Sequence, residues 1–188
     1  MRIVGGSHKG RPLSAPSGRA TRPTADRTRE AIFNKLAHAP WARGVEDARV
    51  IDLFAGSGAL GFEAMSRGAA FCLFVETEAR ARGAIRDNVE ALQLWGATRL
   101  HRRDATRLGP KPAGLGAPFD LVFLDPPYEA GLGGPALEAL IAGGWVGDDA
   151  IAVFEMGADE RIETPGWTAL DEGDHGAARV VYLERTPG

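Results

Sequence analysis

The sequence predicts an α/β fold with a mostly parallel sheet that helices cover on both faces. From residue 49 onward, short apolar runs alternate with segments of helical periodicity. Consecutive residues of these runs are apolar, as is typical of strands that are buried on both faces of a parallel sheet. The last two runs are joined only by a turn-like segment, Glu172–Gly176, which predicts a hairpin and at least one antiparallel strand.

The order of elements follows from these patterns. Strands are predicted over residues 49–54, 71–76, 98–102, 119–125, 150–155, 167–171 and 178–184. Helices are predicted over residues 25–38, 58–67, 78–94 and 131–142. Thr24 is suited to cap the first helix. Before it, residues 2–13 are typical of a short hairpin and residues 14–23 of a loop.

The charge of the chain is divided unevenly. The net charge of −3 argues, taken alone, against a nucleic-acid partner. However, residues 1–43 contain nine Lys or Arg and two Asp or Glu, a net of +7, and residues 44–188 contain thirteen and twenty-three, a net of −10. This division predicts a basic N-terminal extension over 1–43 and an acidic domain over 44–188.

Several classes of site are excluded by composition. Cys72 is the single cysteine, so neither an internal disulfide nor a cysteine-based zinc site is possible. The four histidines are scattered, and no metal is expected. The longest stretch without a charged residue, Leu53–Phe62, is too short to span a membrane, and the N-terminus does not resemble a signal peptide. We expect a cytoplasmic monomer with no membrane partner.

A glycine-rich loop follows the first long strand. Its sequence, Gly56-Ser57-Gly58-Ala59-Leu60-Gly61, lies between a predicted strand and a predicted helix, where such a loop allows a ligand to approach the backbone. Glu76 ends the next strand and is placed to accept hydrogen bonds from ribose hydroxyls. The pattern predicts a nucleoside-bearing cofactor and leaves NAD, FAD and S-adenosylmethionine open.

Two further acids favour one of these cofactors. Asp52 lies inside an apolar strand, where a carboxylate is costly to bury without a partner. The ammonium group of S-adenosylmethionine would be such a partner, whereas a dinucleotide brings a pyrophosphate; the alternative is a structural aspartate bonded to backbone amides. Asp104 ends the third strand and can accept from an adenine amino group or cap a helix.

The fourth strand of the alternating region ends in Asp125-Pro126-Pro127-Tyr128. Consecutive prolines fix a rigid, extended turn, so that the Asp125 carboxylate and the Pro126 carbonyl can be directed at one point. The Tyr128 ring offers a stacking surface beside them. Two acceptors and a flat ring suit a planar heterocycle with an exocyclic amine. The alternative is a Pro-Pro turn that only ends a strand.

These motifs resemble those of the class I S-adenosylmethionine-dependent amino-methyltransferases. The resemblance is closer to the bacterial 16S ribosomal RNA guanine-N2 methyltransferases. It rests on the N-terminal segment Arg2–Arg11, the segment Arg22–Glu30, the loop Asp52–Gly61 and the Asp-Pro-Pro-Tyr tetrad. The Arg22–Glu30 segment narrows the substrate, while residues 109–118 and the C-terminal third depart from the family.

The resemblance implies a Rossmann-like seven-stranded fold with a reversed last strand, and S-adenosylmethionine as cofactor. It implies transfer of a methyl group to one guanine in a hairpin loop of 16S ribosomal RNA, on the small subunit or an assembly intermediate. The residues assigned to the cofactor are Asp52, Phe54, Gly56, Ser57, Gly58, Glu76, Thr77, Asp104, Ala105 and Thr24. The residues assigned to catalysis are Asp125, Pro126, Pro127 and Tyr128.

The basic extension is expected to contact RNA phosphates. The residues assigned to this contact are Lys9, Arg11, Arg22, Arg27 and Arg29. Arg22, Thr24 and Arg27 can instead face the cofactor. Three other functions stay open: a DNA adenine-N6 methyltransferase with the same tetrad, a nicotinamide oxidoreductase that uses the glycine loop, and an RNA-binding protein without catalytic activity.

Overall fold

The computed structural model of the chain describes residues 1–16 and 23–188, the side chains of residues 23–25 excepted. Its strands form one seven-stranded sheet with the spatial order 3-2-1-4-5-7-6. The strands are β1 Arg49–Leu53, β2 Phe71–Val75, β3 Thr98–His101, β4 Phe119–Leu124, β5 Val146–Gly157, β6 Trp167–His175 and β7 Ala178–Arg185. The α-helices are α1 Pro23–His38, α2 Ala59–Ser66, α3 Ala79–Leu92 and α4 Gly133–Ala142.

The sheet is mixed, with one strand reversed. β1 lies parallel between β2 and β4, and β3 and β5 extend the parallel region on either side. β7 runs antiparallel to both β5 and β6 and lies between them. The predicted antiparallel strand is therefore confirmed. It is the second strand of the terminal hairpin, and it brings that hairpin into the main sheet.

The C-terminal strands are longer than predicted. β5 covers Val146–Gly157, and β6 extends to His175, so most of the segment predicted as a turn is strand. Polar residues in this segment, such as Asp174, gave the pattern of a turn. They remain in the strand because β7 pairs with β6 along almost its whole length.

Two N-terminal predictions have different outcomes in the structure. α1 begins at Pro23, so Thr24 lies inside the helix and is not its cap. Proline suits a first helical position because its φ angle is already helical and its missing N–H would have no partner there. The hairpin predicted over 2–13 is present but irregular. One antiparallel bridge joins Arg2 and Pro12, and hydrogen bonds between the arms run from the Ile3 N–H to the Arg11 carbonyl and from the Leu13 N–H to the Met1 carbonyl, both at 3.0 Å.

Helices cover both faces of the sheet, as predicted. One buried cluster joins α1, α2 and α3 to the sheet, and the other joins α4 to the opposite face. The N-terminal residues belong to the first cluster: Ile3, Leu13 and Phe33 are all buried. The Phe33 ring lies 5.5 Å from that of Phe123 in β4. Burial of each such side chain contributes about 1.5–3 kcal/mol, which holds α1 on the sheet.

A buried cluster of charges fixes the N-terminal segment to α2. The Glu63 side chain is fully buried, and its carboxylate accepts the Val4 N–H at 2.9 Å. The Arg29 Nε lies 3.4 Å from Glu63 Oε2, and the Arg67 Nε lies 2.8 Å from Glu63 Oε1. A buried carboxylate of this kind is stable only while its partners are present.

Candidate active site

Three strands end side by side at the carboxyl edge of the sheet. Leu53 of β1 pairs with Val75 of β2 on one side and with Leu124 of β4 on the other. Because all three strands are parallel, the residues that follow them, Phe54, Glu76 and Asp125, leave the same edge together. Ligands of doubly wound sheets bind in the crevice outside this edge.

The glycine loop between β1 and α2 has an unusual backbone. Phe54, Gly56 and Gly58 all have positive φ angles, of 55°, 58° and 80°. A bulky residue such as Phe54 rarely adopts this conformation, and such residues concentrate at functional sites. A Cβ atom on Gly61 would lie 2.4 Å from Phe74, so the last glycine of the loop allows α2 to pack against β2.

Asp52 is the buried acid beneath this loop. It is 2% exposed, and its Oδ2 accepts the Gly61 N–H at 3.0 Å, the backbone bond expected of a structural aspartate. Burial raises the pKa of Asp52 well above its usual value, and the negative charges of Asp125 and Glu76 raise this pKa further. The strand ends thus concentrate negative potential, which favours a cationic ligand and disfavours a pyrophosphate.

Glu76 connects the glycine loop to the start of α3. Its Oε2 accepts the Gly56 N–H at 2.7 Å and its Oε1 accepts the Glu78 N–H at 2.8 Å. Thr77, which lies between Glu76 and Glu78 in the sequence, is exposed. The half-buried carboxylate is therefore held in one orientation at the mouth of the crevice.

Asp104 is exposed and follows β3. Its Oδ1 accepts both the N–H and the hydroxyl of Thr106, at 2.9 and 2.7 Å, so it caps the short 3₁₀ turn Ala105–Arg107. These hydrogen bonds lower the pKa of Asp104. Ala105, the next residue of the predicted set, is buried. The capping alternative for Asp104 is thus present in the structure.

The tetrad after β4 combines an exposed carboxylate with a partly exposed ring. Asp125 is exposed, Pro126 is buried and Pro127 is exposed. The Tyr128 side chain is 44% exposed, and its hydroxyl donates to Glu155 Oε1 at 2.9 Å. Asp125 thus follows β4, which lies beside β1 and its glycine loop, whereas the Tyr128 hydroxyl is held from β5, on the other side of β4.

Asn88 is a contributor that the sequence analysis missed. It is 1% exposed in α3, and its side-chain amide donates to the carbonyls of Ser57 and Ser14, while its oxygen accepts the Ser14 N–H at 2.7 Å. Asn88 thus joins the glycine loop to the end of the N-terminal segment. The sequence signal that could have indicated its burial is its position on the apolar stripe of α3, between Ile85 and Leu92.

The predicted RNA-contacting residues are only partly brought together. Lys9, Arg11 and Arg27 are exposed, and Lys9 and Arg27 line a surface groove between the N-terminal segment and α1. Arg22 and the side chain of Thr24 lie outside the described residues. A correction concerns Arg29, whose side chain is 4% exposed and pairs with Glu63 and Asp26, so it does not reach the surface.

A protein-family model, described as conserved hypothetical protein 95, matches residues 1–184. The chain belongs to this family.

Two relatives of known sequence match most of this chain. The chain is similar to YlbH of Bacillus subtilis (strain 168), with 43% identity over 129 residues, covering 69% of this chain and 67% of that protein. It is also similar to ribosomal RNA small subunit methyltransferase D of Escherichia coli (strain K12), with 35% identity over 164 residues, covering 87% and 78%.

Two solved structures share the fold of this chain. The Escherichia coli protein yhhF has a TM-score of 0.82 and 32% identity, covering 100% of this chain and 99% of that chain. Magnesium protoporphyrin IX methyltransferase from Synechocystis PCC 6803, solved with bound SAM, shares the fold at a TM-score of 0.63 and 12% identity, covering 90% and 87%. The mixed seven-stranded sheet is thus a Rossmann-like methyltransferase fold.

Residues 1–16 and 23–188 contain neither a metal-binding cluster nor a membrane-spanning helix. No group of three or more His, Cys, Asp or Glu residues there is arranged to hold a metal ion. None of the described helices is long and apolar enough to cross a membrane.

Proposed function

We propose that this chain transfers a methyl group from S-adenosylmethionine to the exocyclic N2 amine of one guanine in 16S ribosomal RNA. It is an S-adenosylmethionine-dependent enzyme that methylates ribosomal RNA. The observation that carries the finer proposal is the register of β1, β2 and β4, because it aligns Phe54, Glu76 and the Asp125–Tyr128 tetrad at one edge. A relative that covers most of the chain is named for the small ribosomal subunit.

The residues at the crevice fit S-adenosylmethionine better than a dinucleotide. The fit rests on the buried Asp52. Burial and the charges of two neighbouring acids disfavour its ionised form, and a cation beside it would stabilise that form. We assign the ammonium group of the cofactor to Asp52, its ribose to Glu76 and its adenine to Asp104 with Ala105. The remaining residues assigned to its pocket are Phe54, Gly56, Ser57, Gly58 and Thr77.

The tetrad would act on the target amine. When bound, S-adenosylmethionine supplies an electrophilic methyl group. The Asp125 carboxylate and the Pro126 carbonyl accept the two N–H bonds of the guanine amine, while Pro127 keeps the turn rigid. As the nitrogen takes the methyl group, the carbon–sulfur bond of the cofactor would break and leave a neutral thioether. Asp125 would stabilise the positive charge on the nitrogen, and the nitrogen would then lose one proton to water. The partly exposed Tyr128 ring stacks on the guanine, with a contribution of about 1–3 kcal/mol.

The N-terminal segment would hold the RNA. We propose that residues 1–43 form an RNA-facing extension and residues 44–188 the methyltransferase domain. The exposure of Lys9, Arg11 and Arg27 supports phosphate contacts, and Arg22 stays in the predicted set. We leave Arg29 out of this surface because it is buried in an ion pair.

The substrate would be the small subunit or an assembly intermediate, modified in the cytoplasm by a monomer. An unpaired loop is the easiest place for the enzyme to extract a guanine, since unstacking costs least there. We expect one active site per enzyme molecule and one modified guanine per ribosomal RNA.

The test is mass-spectrometric mapping of methylated guanines in small-subunit RNA from cells with and without the protein. One N2-methylguanine should disappear without the protein. Small subunits from the deficient cells should accept a tritiated methyl group at that guanine in vitro. Subunits from the parent cells, already methylated, are the matched control and should accept none.

The alternatives give different results in the same assays. Label in DNA and none in ribosomal RNA would transfer the assignment to a DNA adenine-N6 methyltransferase. Calorimetric binding of NAD without binding of S-adenosylmethionine would support the oxidoreductase. Binding of RNA with no transfer would leave an RNA-binding protein.

A further inference from the structure

Glu160 is an acid that no motif of the sequence includes, yet its carboxylate contacts the backbone directly after the tetrad. Its Oε1 accepts the Glu129 N–H at 2.7 Å, and its Oε2 accepts the N–H of Gly157, the last residue of β5. The two oxygens therefore join the loop that carries the tetrad to the end of a neighbouring strand.

The backbone at Glu129 needs such a contact. Its φ angle of 59° lies in the left-handed region, which is unfavourable for a residue with a Cβ atom. Conformations of this kind persist where the surroundings hold them. The Glu160 carboxylate supplies a charge-assisted hydrogen bond to this residue, and such bonds are stronger than neutral ones.

Glu160 is itself held from several sides. Its own N–H donates to the Gly157 carbonyl at 3.0 Å, which closes a tight turn after β5. The Arg179 guanidinium from β7 donates to the Glu160 carbonyl at 2.6 Å. In the same region Glu155, near the end of β5, accepts the Tyr128 hydroxyl. β5 and the turn after it thus fix two consecutive residues, Tyr128 and Glu129.

We propose that Glu160 is a positioning residue for methyl transfer, which rests on the proposed function of the tetrad. Its carboxylate sets where the Asp125–Tyr128 turn ends, and so the position of the Tyr128 ring relative to the Asp125 carboxylate. The hydrogen bonds that the Glu160 carboxylate accepts within the described residues come from Glu129 and Gly157, so its effect is expected on the target side of the site. Catalytic rates are sensitive to displacements of about 1 Å at reacting groups.

The experiment compares Glu160→Ala, Glu160→Gln and the control Asp159→Ala, which removes an exposed charge from the same turn. For Glu160→Ala we expect kcat to fall about tenfold with the Kd for S-adenosylmethionine and the Tm nearly unchanged. Glu160→Gln keeps one acceptor oxygen and should recover part of the loss. Asp159→Ala should match the unaltered protein.

Amide hydrogen exchange provides a readout that does not depend on the substrate. The Glu129 and Gly157 amides should exchange faster in Glu160→Ala than in Asp159→Ala. Unchanged exchange at Glu129, or an unchanged kcat, would overturn the proposal. A fall in kcat matched by equal losses of cofactor affinity and Tm in both Glu160 variants would also overturn it, since the role would then be structural. Absence of transfer by the unaltered protein, with faster exchange at Glu129 in the variant, would instead contradict the proposed function.

Discussion

The basic N-terminal extension, residues 1–43, and the acidic carboxyl edge of the sheet use their charges in different ways. In the N-terminal extension, several cations are already paired within the molecule: Arg29 with Glu63, Lys35 with Asp171, and Arg43 with Asp149. At the carboxyl edge, the acids are oriented by backbone N–H groups. Asp52, Glu76 and Asp104 accept such bonds from Gly61, Gly56 and Thr106.

The difference shows what a net charge can and cannot predict. Counting charges gave the N-terminal extension, residues 1–43, a net of +7, but part of that charge holds the extension onto α2 and the C-terminal strands. At the carboxyl edge the hydrogen bonds to Asp52, Glu76 and Asp104 come from N–H and hydroxyl groups, so each of these side chains is oriented for a ligand. Of the two regions, the carboxyl edge is therefore the one whose charged side chains are better oriented for binding a ligand.

The largest expected effect of a substitution is a loss of turnover at the carboxyl edge of the sheet. Asp125→Ala should lower turnover by about 10²–10³ fold, because it removes a group that stabilises charge in the transition state. The affinity for S-adenosylmethionine, measured by calorimetry, should change little. Asp125→Asn, which keeps an acceptor oxygen, should be less impaired. An Asp125→Ala enzyme with full turnover would contradict the catalytic role.

Breaking the buried pairing of the N-terminal segment should affect stability. Arg29→Ala should lower the free energy of unfolding by about 3 kcal/mol, since Glu63 would remain buried with one partner fewer. Arg27→Ala, on the exposed side of the same helix, is the matched control and should stay within about 0.5 kcal/mol. Urea unfolding measures both. Equal losses in the two variants would remove the distinction between paired and exposed arginines.

Asp52 gives a prediction for both ligand affinity and pH. Asp52→Asn should weaken S-adenosylmethionine binding about tenfold while keeping the bond from Gly61. Because the pKa of Asp52 is raised in the folded state, Asp52 ionises at lower pH in the unfolded chain than in the folded one. The free energy of unfolding therefore decreases as pH rises above about 3.8, the ordinary pKa of the group. This loss should be smaller in Asp52→Asn. Identical pH profiles of the free energy of unfolding would refute the effect.

The smallest effect should come from the exposed cations. Lys9→Ala combined with Arg27→Ala should weaken RNA binding a few fold at moderate salt, and the slope of log affinity against log salt should fall by about 2. The Tm should not change. Binding and slope equal to those of the unaltered protein would exclude this groove from the RNA interface.

Much of the fold was predictable because it depends on local patterns. The apolar runs of β1, β2 and β4 and the helix periodicities located the carboxyl edge and the acids that follow it. The inward position of Arg29 was also readable, three residues before Ile32 and seven before Leu36 on the buried stripe of α1. The contacts of Asn88 and Glu160 were not predictable, since each joins segments that only the folded chain brings together.

The position of β7 has a consequence for the order in which the chain can complete its fold during synthesis. β6 leaves the ribosome before β7 but pairs in the sheet only with β7, and β5 also has β7 as its outer neighbour. Until residues 178–185 have emerged, β6 has no place in the sheet and β5 presents an open edge. β7, which is synthesised after β5 and β6, therefore closes this part of the sheet, and a chain shortened before Ala178 would lose both β6 and β7 from it.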